Sequence, residues 1–260
     1  MREVPLIGGT ANHGLVVRVG QTVRRPARPT SAATFALLQH LSDVGFEGAP
    51  RALGVDAEGR EVMSYIEGDA VIPPYPSWAL TDDALMSVAA LLSRYNQAVD
   101  SFDPAPHVWP PSPPAPFAAG SVGHNDPNLD NIIFRRNQAV ALIDFDLASP
   151  ASPVWDVAAA ARFWAPLRPE EFISDARTGR ALPRFRRFVD AYGPTEADRA
   201  LIVDAVTQNH DWSYEVVRRG AEDGRPGFAA YWTQDAAARA HLIRKWYDQN
   251  DQLLRTALAR

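Results

Sequence analysis

Apolar residues are spaced in two ways along this chain, and the change from one spacing to the other divides it. Up to about residue 66 they come in short runs broken by turn residues. "VPLI" (Val4–Ile7), "LVVRVG" (Leu15–Gly20) and "TVRR" (Thr22–Arg25) read as strands, with a turn at Gly20-Gln21 and with Pro26 and Pro29 closing the third. Phe35, Leu37, Leu38 and Leu41 then follow helical spacing, with Thr30 or Ser31 placed to cap the start and Gly45 following the end. "APRALGVDAEGREVMSYIEG" predicts two strands around the turn Asp56–Gly59.

Beyond that point helical spacing dominates. It covers Leu80–Val99 and nearly everything after Trp155, with loops near 166–171, 193–195 and 222–227. "FDPAPHVWPPSPPAPF" reads as an extended tether over the surface, and "IIF" and "AVALI" read as a hairpin turned at "RRNQ". The pattern predicts an α+β protein, and the length suits one large domain or two lobes sharing a cleft. Residues 1–66 form a small antiparallel sheet with one helix, and residues 67–260 form a mainly helical lobe. No internal repeat of solenoid period is visible.

Composition narrows the function classes. The 260 residues are 46% hydrophobic and 22% charged, as in a soluble globular protein able to bury a sizeable core. A net charge of -5 with no basic block gives no reason to expect nucleic acid. No cysteine is present, so disulfides and thiolate metal sites are excluded. The N-terminus lacks the apolar core of a signal peptide and no run suits a membrane span, so a cytoplasmic location without a membrane partner is expected. Lys245 is the only lysine, and any cation on the small lobe must therefore be arginine.

The chemistry concentrates in Gly123–Ser149, "GHNDPNLDNIIFRRNQAVALIDFDLAS". Pro127 favours a loop after "HND". The hairpin that follows would carry the 126–131 loop and Asp144 to the same end of the sheet. Asp126, Asn131 and Asp144 can then converge, although 18 positions separate the two aspartates. Convergent oxygen donors suit Mg²⁺, which takes few protein ligands and fills its shell with phosphate oxygens and water. The spacing D-x-x-x-x-N matches the catalytic loop of phosphoryl-transfer kinases. Alone it is equally a turn signature. Its weight comes from order: a histidine-led aspartate loop, a hairpin and a strand-terminal aspartate, behind a glycine loop and a hinge-like segment.

On these residues the chain resembles the aminoglycoside phosphotransferase and choline kinase superfamily, whose fold is protein-kinase-like. The likeness runs over nearly the whole chain. "HNDPNLDN" is similar to the family's catalytic loop, "LIDFDLA" to its metal-binding strand and "PVWDVA" to the helix start that follows. The resemblance implies Asp126 as catalytic base, Asn131 and Asp144 as metal ligands, His124 ordering the loop and Asp156 bracing it. It implies a nucleotide site from "GGTANHG", with Gly8, Gly9 and Asn12, and a hinge in "EVMSYIEG", where the backbone of Ser64, Tyr65 and Ile66 would meet the base. Mg²⁺, ATP or GTP as donor and a small-molecule hydroxyl as acceptor follow from it, as does an expected role in antibiotic resistance.

Two features depart from the family. Its lysine on the third strand is replaced by Arg24 or Arg25, and "TSAATFALLQHL" offers no carboxylate to hold it. Strand alternation with Val23 in the core predicts that Arg24 enters the cleft and contacts phosphate, loosely held, while Arg25 turns back toward the helix. Asn125 and Asp146 also stand where kinases commonly have other residues; Asp146 reads equally as a second metal ligand or a solvated acid.

The lost lysine–glutamate pair keeps a second class open: a catalytically silent kinase-like binding or immunity protein. A protein kinase is disfavoured, because the 11 residues between Asp144 and Asp156 are too few for an activation segment. Residues 68–156 carry 3 arginines against 10 acids, which tilts the acceptor toward a cationic or polyhydroxyl compound such as an aminoglycoside. Asp211 and Glu215 in "DWSYE" are candidate acceptor contacts, or simply the polar face of an amphipathic helix.

Overall fold

The computed structural model describes residues 2–6, 14–118 and 120–259. Strands β1 (Glu3–Pro5), β2 (Val17–Val19) and β3 (Thr22–Pro26) lead into helix α1 (Ser31–Asp43), and β4 (Ala52–Val55) and β5 (Arg60–Ser64) follow it. The five strands form one antiparallel sheet in the order β1-β2-β3-β5-β4. The β4–β5 turn closes on Asp56, whose Oδ1 accepts from the amides of Glu58 and Arg60. Helix α1 buries Leu37, Leu38 and Leu41 in the core with Met63 of β5, while Leu53 and Val55 of β4 stay exposed. The sheet thus has one covered and one open face. Thr30 makes no side-chain cap at α1. The Ser31 hydroxyl instead accepts from the Arg28 amide and hydrogen-bonds Glu61.

The second lobe begins with β6 (Asp69–Ala70) and a single 3-10 turn, Ser77–Leu80. Helix α2 (Asp82–Ala98) is capped by Thr81, whose hydroxyl accepts from the Ala84 amide. The proline-rich segment is anchored by its aromatics: Phe117 is buried with its ring 5.4 Å from that of Trp155, and Phe102 and Trp109 pack against the core. Strand β7 (Val122–Gly123) pairs with β10 (Ser149–Pro150). Between them, β8 (Ile132–Arg135) and β9 (Gln138–Leu142) form the expected hairpin, with β6 on its far side. Arg136 and Asn137, both at positive φ (52° and 62°), make the two-residue turn whose twist matches the strands it joins.

Helices α3 (Pro153–Trp164), α4 (Ala181–Tyr192), α5 (Glu196–Glu222), α6 (Pro226–Tyr231) and α7 (Gln234–Leu258) complete the lobe. Helix α3 runs through its centre and buries Trp155, Val157 and Trp164. Trp246 of α7 is half-buried and packs against the core. One apolar cluster runs from Leu37 and Met63 in the small lobe to Leu258 at the far end. The fold is α+β, as the spacing predicts, and two-lobed and protein-kinase-like, as the resemblance implies. No helix among the described residues is long and apolar enough to cross a membrane.

Candidate active site

The catalytic loop hangs from one buried carboxylate. Asp156 of α3 is fully buried and accepts the amides of His124 (2.8 Å) and Asn125 (2.7 Å). Gly123 makes this approach possible: a Cβ there would lie 2.5 Å from Asn125 Oδ1 and 3.3 Å from Asp156 Oδ1. Asn125, at φ 64°, donates Nδ2 to Leu147 O and Ser149 Oγ, both at 2.8 Å, and so ties the loop to the chain beyond the hairpin.

The His124 ring is locked by its neighbours. Nε2 lies 2.9 Å from Ile143 O, which can only accept, so Nε2 carries the proton. Nδ1 is then free to accept the Asp126 amide at 3.3 Å. Burial pushes the ring pKa down to about 4, which keeps this neutral form.

Asp126 and Asn131 are joined as their spacing suggests. Asn131 Nδ2 donates to Asp126 Oδ2 (3.0 Å) and to Asp126 O (2.9 Å), and Asn128 Nδ2 donates to Asp126 Oδ1. With its nitrogen spent, Asn131 has its Oδ1 left for a cation. Asp144 stands just past β9 at φ 61°, and the preceding amide, of Ile143, donates to Asn131 O at 2.9 Å. Asp126, Asn131 and Asp144 therefore do converge.

Acids crowd this corner. Burial, then Asp130 and Asp146, push the Asp126 carboxyl up to about 8, although one side stays open to the cleft. Burial and Asp146 also raise Asp144 well above the usual carboxylate range, with Arg25 pulling the other way. Such a site favours a cation. Its donor set, one carboxylate and one amide oxygen facing a cleft, suits Mg²⁺ with phosphate oxygens and water. Among the described residues no group of three or more His, Cys, Asp or Glu is arranged to hold a metal by itself.

The small lobe supplies its cation from a different arginine than the one expected. Arg25, only 4% exposed, places Nε 2.5 Å from Glu61 Oε2 and Nη1 3.2 Å from Asp144 Oδ1, and its Nη1 also meets Asp146. Arg28 Nη1 joins Asp146 at 2.7 Å. Burial opposes the charge of Arg25, but Asp146, Asp144 and Glu61 more than offset it and raise its pKa. Its Nη2 is buried with no partner.

Arg24 points the other way and pairs with Asp56 at 3.1 Å. The reason lies in the sheet. Val23 pairs with Met63 and Arg25 with Glu61, so all four share the covered face. That face meets both α1 and the cleft, whereas the sequence argument set core and cleft on opposite sides. The carboxylate absent from α1 is likewise found on a strand, as Glu61 of β5. Sequence reasoning missed Glu61, Arg28 and Asn128; the alternation of Glu61 and Met63 with Arg25 and Val23 was the available signal for the first.

Other expected residues fall as follows. The amides of Ser64 and Tyr65 are engaged by Arg51 O and Gln21 O, both at 2.9 Å. The Arg18 guanidinium lies 3.7 Å from the centre of the Tyr65 ring. Gly8, Gly9 and Asn12 lie outside the described residues. Asp211 and Glu215 line a groove of about 220 Å³ between α5 and α7. Their charges are met there by Arg244 (2.5 Å) and by Arg218 and Arg219 (2.7 and 2.6 Å). An amphipathic helix explains both, and neither touches the Asp126 corner.

Comparison with known proteins agrees with this geometry. The model of the phosphotransferase enzyme family matches residues 108–192, the stretch that holds the catalytic loop, the hairpin and α3. The trifolitoxin immunity protein of Rhizobium leguminosarum bv. trifolii is 29% identical over 99% of both chains. Among solved structures, the GDP complex of aminoglycoside 2'-phosphotransferase-IIIa superposes with a TM-score of 0.63 at 14% identity, covering 96% of this chain and 93% of the other. A choline/ethanolamine kinase family protein from Mesorhizobium loti gives 0.55 at 14% identity, covering 94% and 93%. Residues 108–192 thus match the phosphotransferase enzyme family, and the whole chain shares its fold with aminoglycoside phosphotransferase and choline/ethanolamine kinase family structures.

Proposed function

We propose that the protein is a Mg²⁺-dependent phosphotransferase that moves the terminal phosphate of ATP or GTP to a hydroxyl of a small molecule. The observation that carries this reading is the convergence of Asp126, Asn131 and Asp144 beneath a buried arginine with one unpartnered donor. A silent scaffold has no need of all four.

Each group has a role in such a transfer. Asp126, oriented by Asn128 and Asn131, accepts the proton of the attacking hydroxyl. Asp144 and Asn131 would hold Mg²⁺, which, when bound, neutralises charge on the nucleotide phosphates. Arg25 donates its orphaned Nη2 to a phosphate oxygen, and Glu61 keeps the guanidinium in place. Asp156 and His124 hold the loop rigid. Ile66 offers the base an amide. The aminoglycoside complexes among the structural neighbours support a small-molecule acceptor.

A second reading has its own observation. Arg25 and Arg28 already neutralise Asp144 and Asp146, and the full-length relative at 29% identity is an immunity protein, so a silent binder of the same fold is the alternative. The deciding experiment follows ADP or GDP release with Mg²⁺ across a panel of hydroxyl compounds, for the wild type and Asp126→Asn. Acceptor-dependent release that the variant lacks supports the enzyme. Release equal in both proteins, or no Mg²⁺-dependent nucleotide binding, supports the silent binder.

A further inference from the structure

The C-terminal end of α3 is fastened to the catalytic loop, because Trp164 Nε1 donates to Pro127 O at 3.2 Å. Arginines gather at that end. Arg162, 6% exposed, donates Nη1 to Asn209 Oδ1 (2.6 Å), Asn209 O (3.1 Å) and Ser213 Oγ (2.9 Å), and its Nη2 lies 3.4 Å from His210 Nδ1. All these partners are neutral, and Arg162 Nε is buried with none. Arg168 is half-buried and donates Nη2 to Arg162 O at 3.4 Å. Both guanidinium groups lie over the Phe163 ring, 5.2 and 5.9 Å from its centre.

Among the described residues neither Arg162 nor Arg168 has a carboxylate oxygen within ion-pair distance, whereas the nearby Arg177 is bound to Asp175 at 2.6 Å. Asp211 is likewise bound by Arg244, and Asp126 takes its hydrogen bonds from Asn128 and Asn131. Burial, then Arg177 and Arg162, lower the pKa of Arg168, the mark of like charges held together out of water. A guanidinium kept this way is costly unless an anion completes it, and its planar fork suits carboxylate and phosphate alike. Trp164, which lies between the two arginines in the chain, is hydrogen-bonded to Pro127 beside Asp126, so the cations lie at the end of α3 that meets the loop of the proposed base.

We propose that the phosphoryl acceptor is an anion: a small hydroxyl compound whose carboxylate or phosphate docks on Arg168 and Arg162 while its hydroxyl meets Asp126. The inference rests on the phosphotransferase reading and narrows its substrate class. It reverses the tilt toward a cationic acceptor that the acids of residues 68–156 suggest, since those acids are spread over the lobe; Asp82, for one, is bound by Arg180, Arg184 and Arg187.

Two small probes, inorganic phosphate and acetate, reach such a site whatever the full acceptor is. Thermal melts of the protein saturated with Mg-ADP should show the midpoint rising with at least one of them, and the stronger of the two tells phosphate from carboxylate. Arg168→Gln should weaken that probe's apparent affinity at least tenfold. Arg168→Lys, which keeps the charge, should retain most of it, and Arg135→Gln, at an exposed strand end, should match the wild type. No rise with either probe, or the same affinity in wild type and Arg168→Gln, overturns the proposal. Melts without nucleotide separate the two readings: an Arg168-dependent anion effect in a protein that binds no Mg-nucleotide would sink the phosphotransferase and leave the anion site standing.

Discussion

Arg25 and Glu61 face each other across β3 and β5 at 2.5 Å, and neither belongs to a helix. Removing the arginine strands a fully buried carboxylate, so Arg25→Ala should lower stability by about 3 kcal/mol in urea titrations. It should also raise the nucleotide KM or lower kcat more than tenfold, in keeping with about 1.5–3 kcal/mol for a charge-assisted contact. Arg24→Ala, which removes one of the two arginines on Asp56 and leaves Arg60, should stay within about threefold of wild type on turnover. Equal and small effects of both would show that no cation of the small lobe meets the nucleotide.

Asp126→Asn should reduce kcat by about 10²–10⁴, the usual loss of a general base. Nucleotide affinity should hold, because the carboxylate is bound to Asn128 and Asn131 and faces the acceptor. Single-turnover kinetics and calorimetry separate the two quantities, and near-normal turnover in the variant would remove Asp126 from the reaction.

Asp144→Ala should abolish the Mg²⁺-dependent part of nucleotide binding, and Asn131→Ala should weaken it less, since a neutral oxygen is lost in place of a charged one. The Asp144 change also releases one of the acids that hold Arg25. Mg²⁺-independent binding could therefore rise slightly in that variant, while wild-type binding indifferent to Mg²⁺ would mean that these residues hold no metal.

His210 should give stability a pH dependence. Burial, then Arg162, push its ring pKa down to about 3, and Nε2 is spent on Ala240 O. In the unfolded chain the ring takes a proton near pH 6.5. The folded state refuses it, so the contribution of neutral His210 is fully present above about 6.5 and is lost progressively as pH falls toward 3. Buried aspartates titrate with the opposite sign, which the difference between wild type and His210→Asn cancels. That difference should shrink steadily between pH 7 and pH 5 in denaturant titrations; a difference independent of pH would show that the folded ring takes up its second proton as readily as the unfolded one.

The order of elements was legible because it rests on local signals. Leu37, Leu38 and Leu41 mark a helix face, "RRNQ" marks a two-residue turn, and the D-x-x-x-x-N spacing sets Asp126 on Asn131 without any knowledge of the rest. The choice between Arg24 and Arg25 was not local. Alternation says that neighbours face opposite ways, but only the position of the whole sheet says which face holds the cleft. Glu61 was hidden for a related reason: pairing β3 with β5 in register depends on α1 and β4 lying between them in the chain. Arg168 gave no signal at all, since its isolation is a matter of which carboxylates were taken by other arginines.

The cross-strand placement of Glu61 bears on control. Where a strand cation is held by a carboxylate on a mobile helix, swinging that helix away breaks the pair, and such a lobe can be switched off by whatever displaces the helix. Here both partners sit on adjacent strands of one hydrogen-bonded sheet. Helix α1 contributes the Ser31 hydroxyl to Glu61 but none of the charge. Tilting it would loosen a neutral contact and leave the ion pair whole. Among the described residues of the small lobe no helix carries such a lever, and Arg25 keeps its carboxylate however α1 moves.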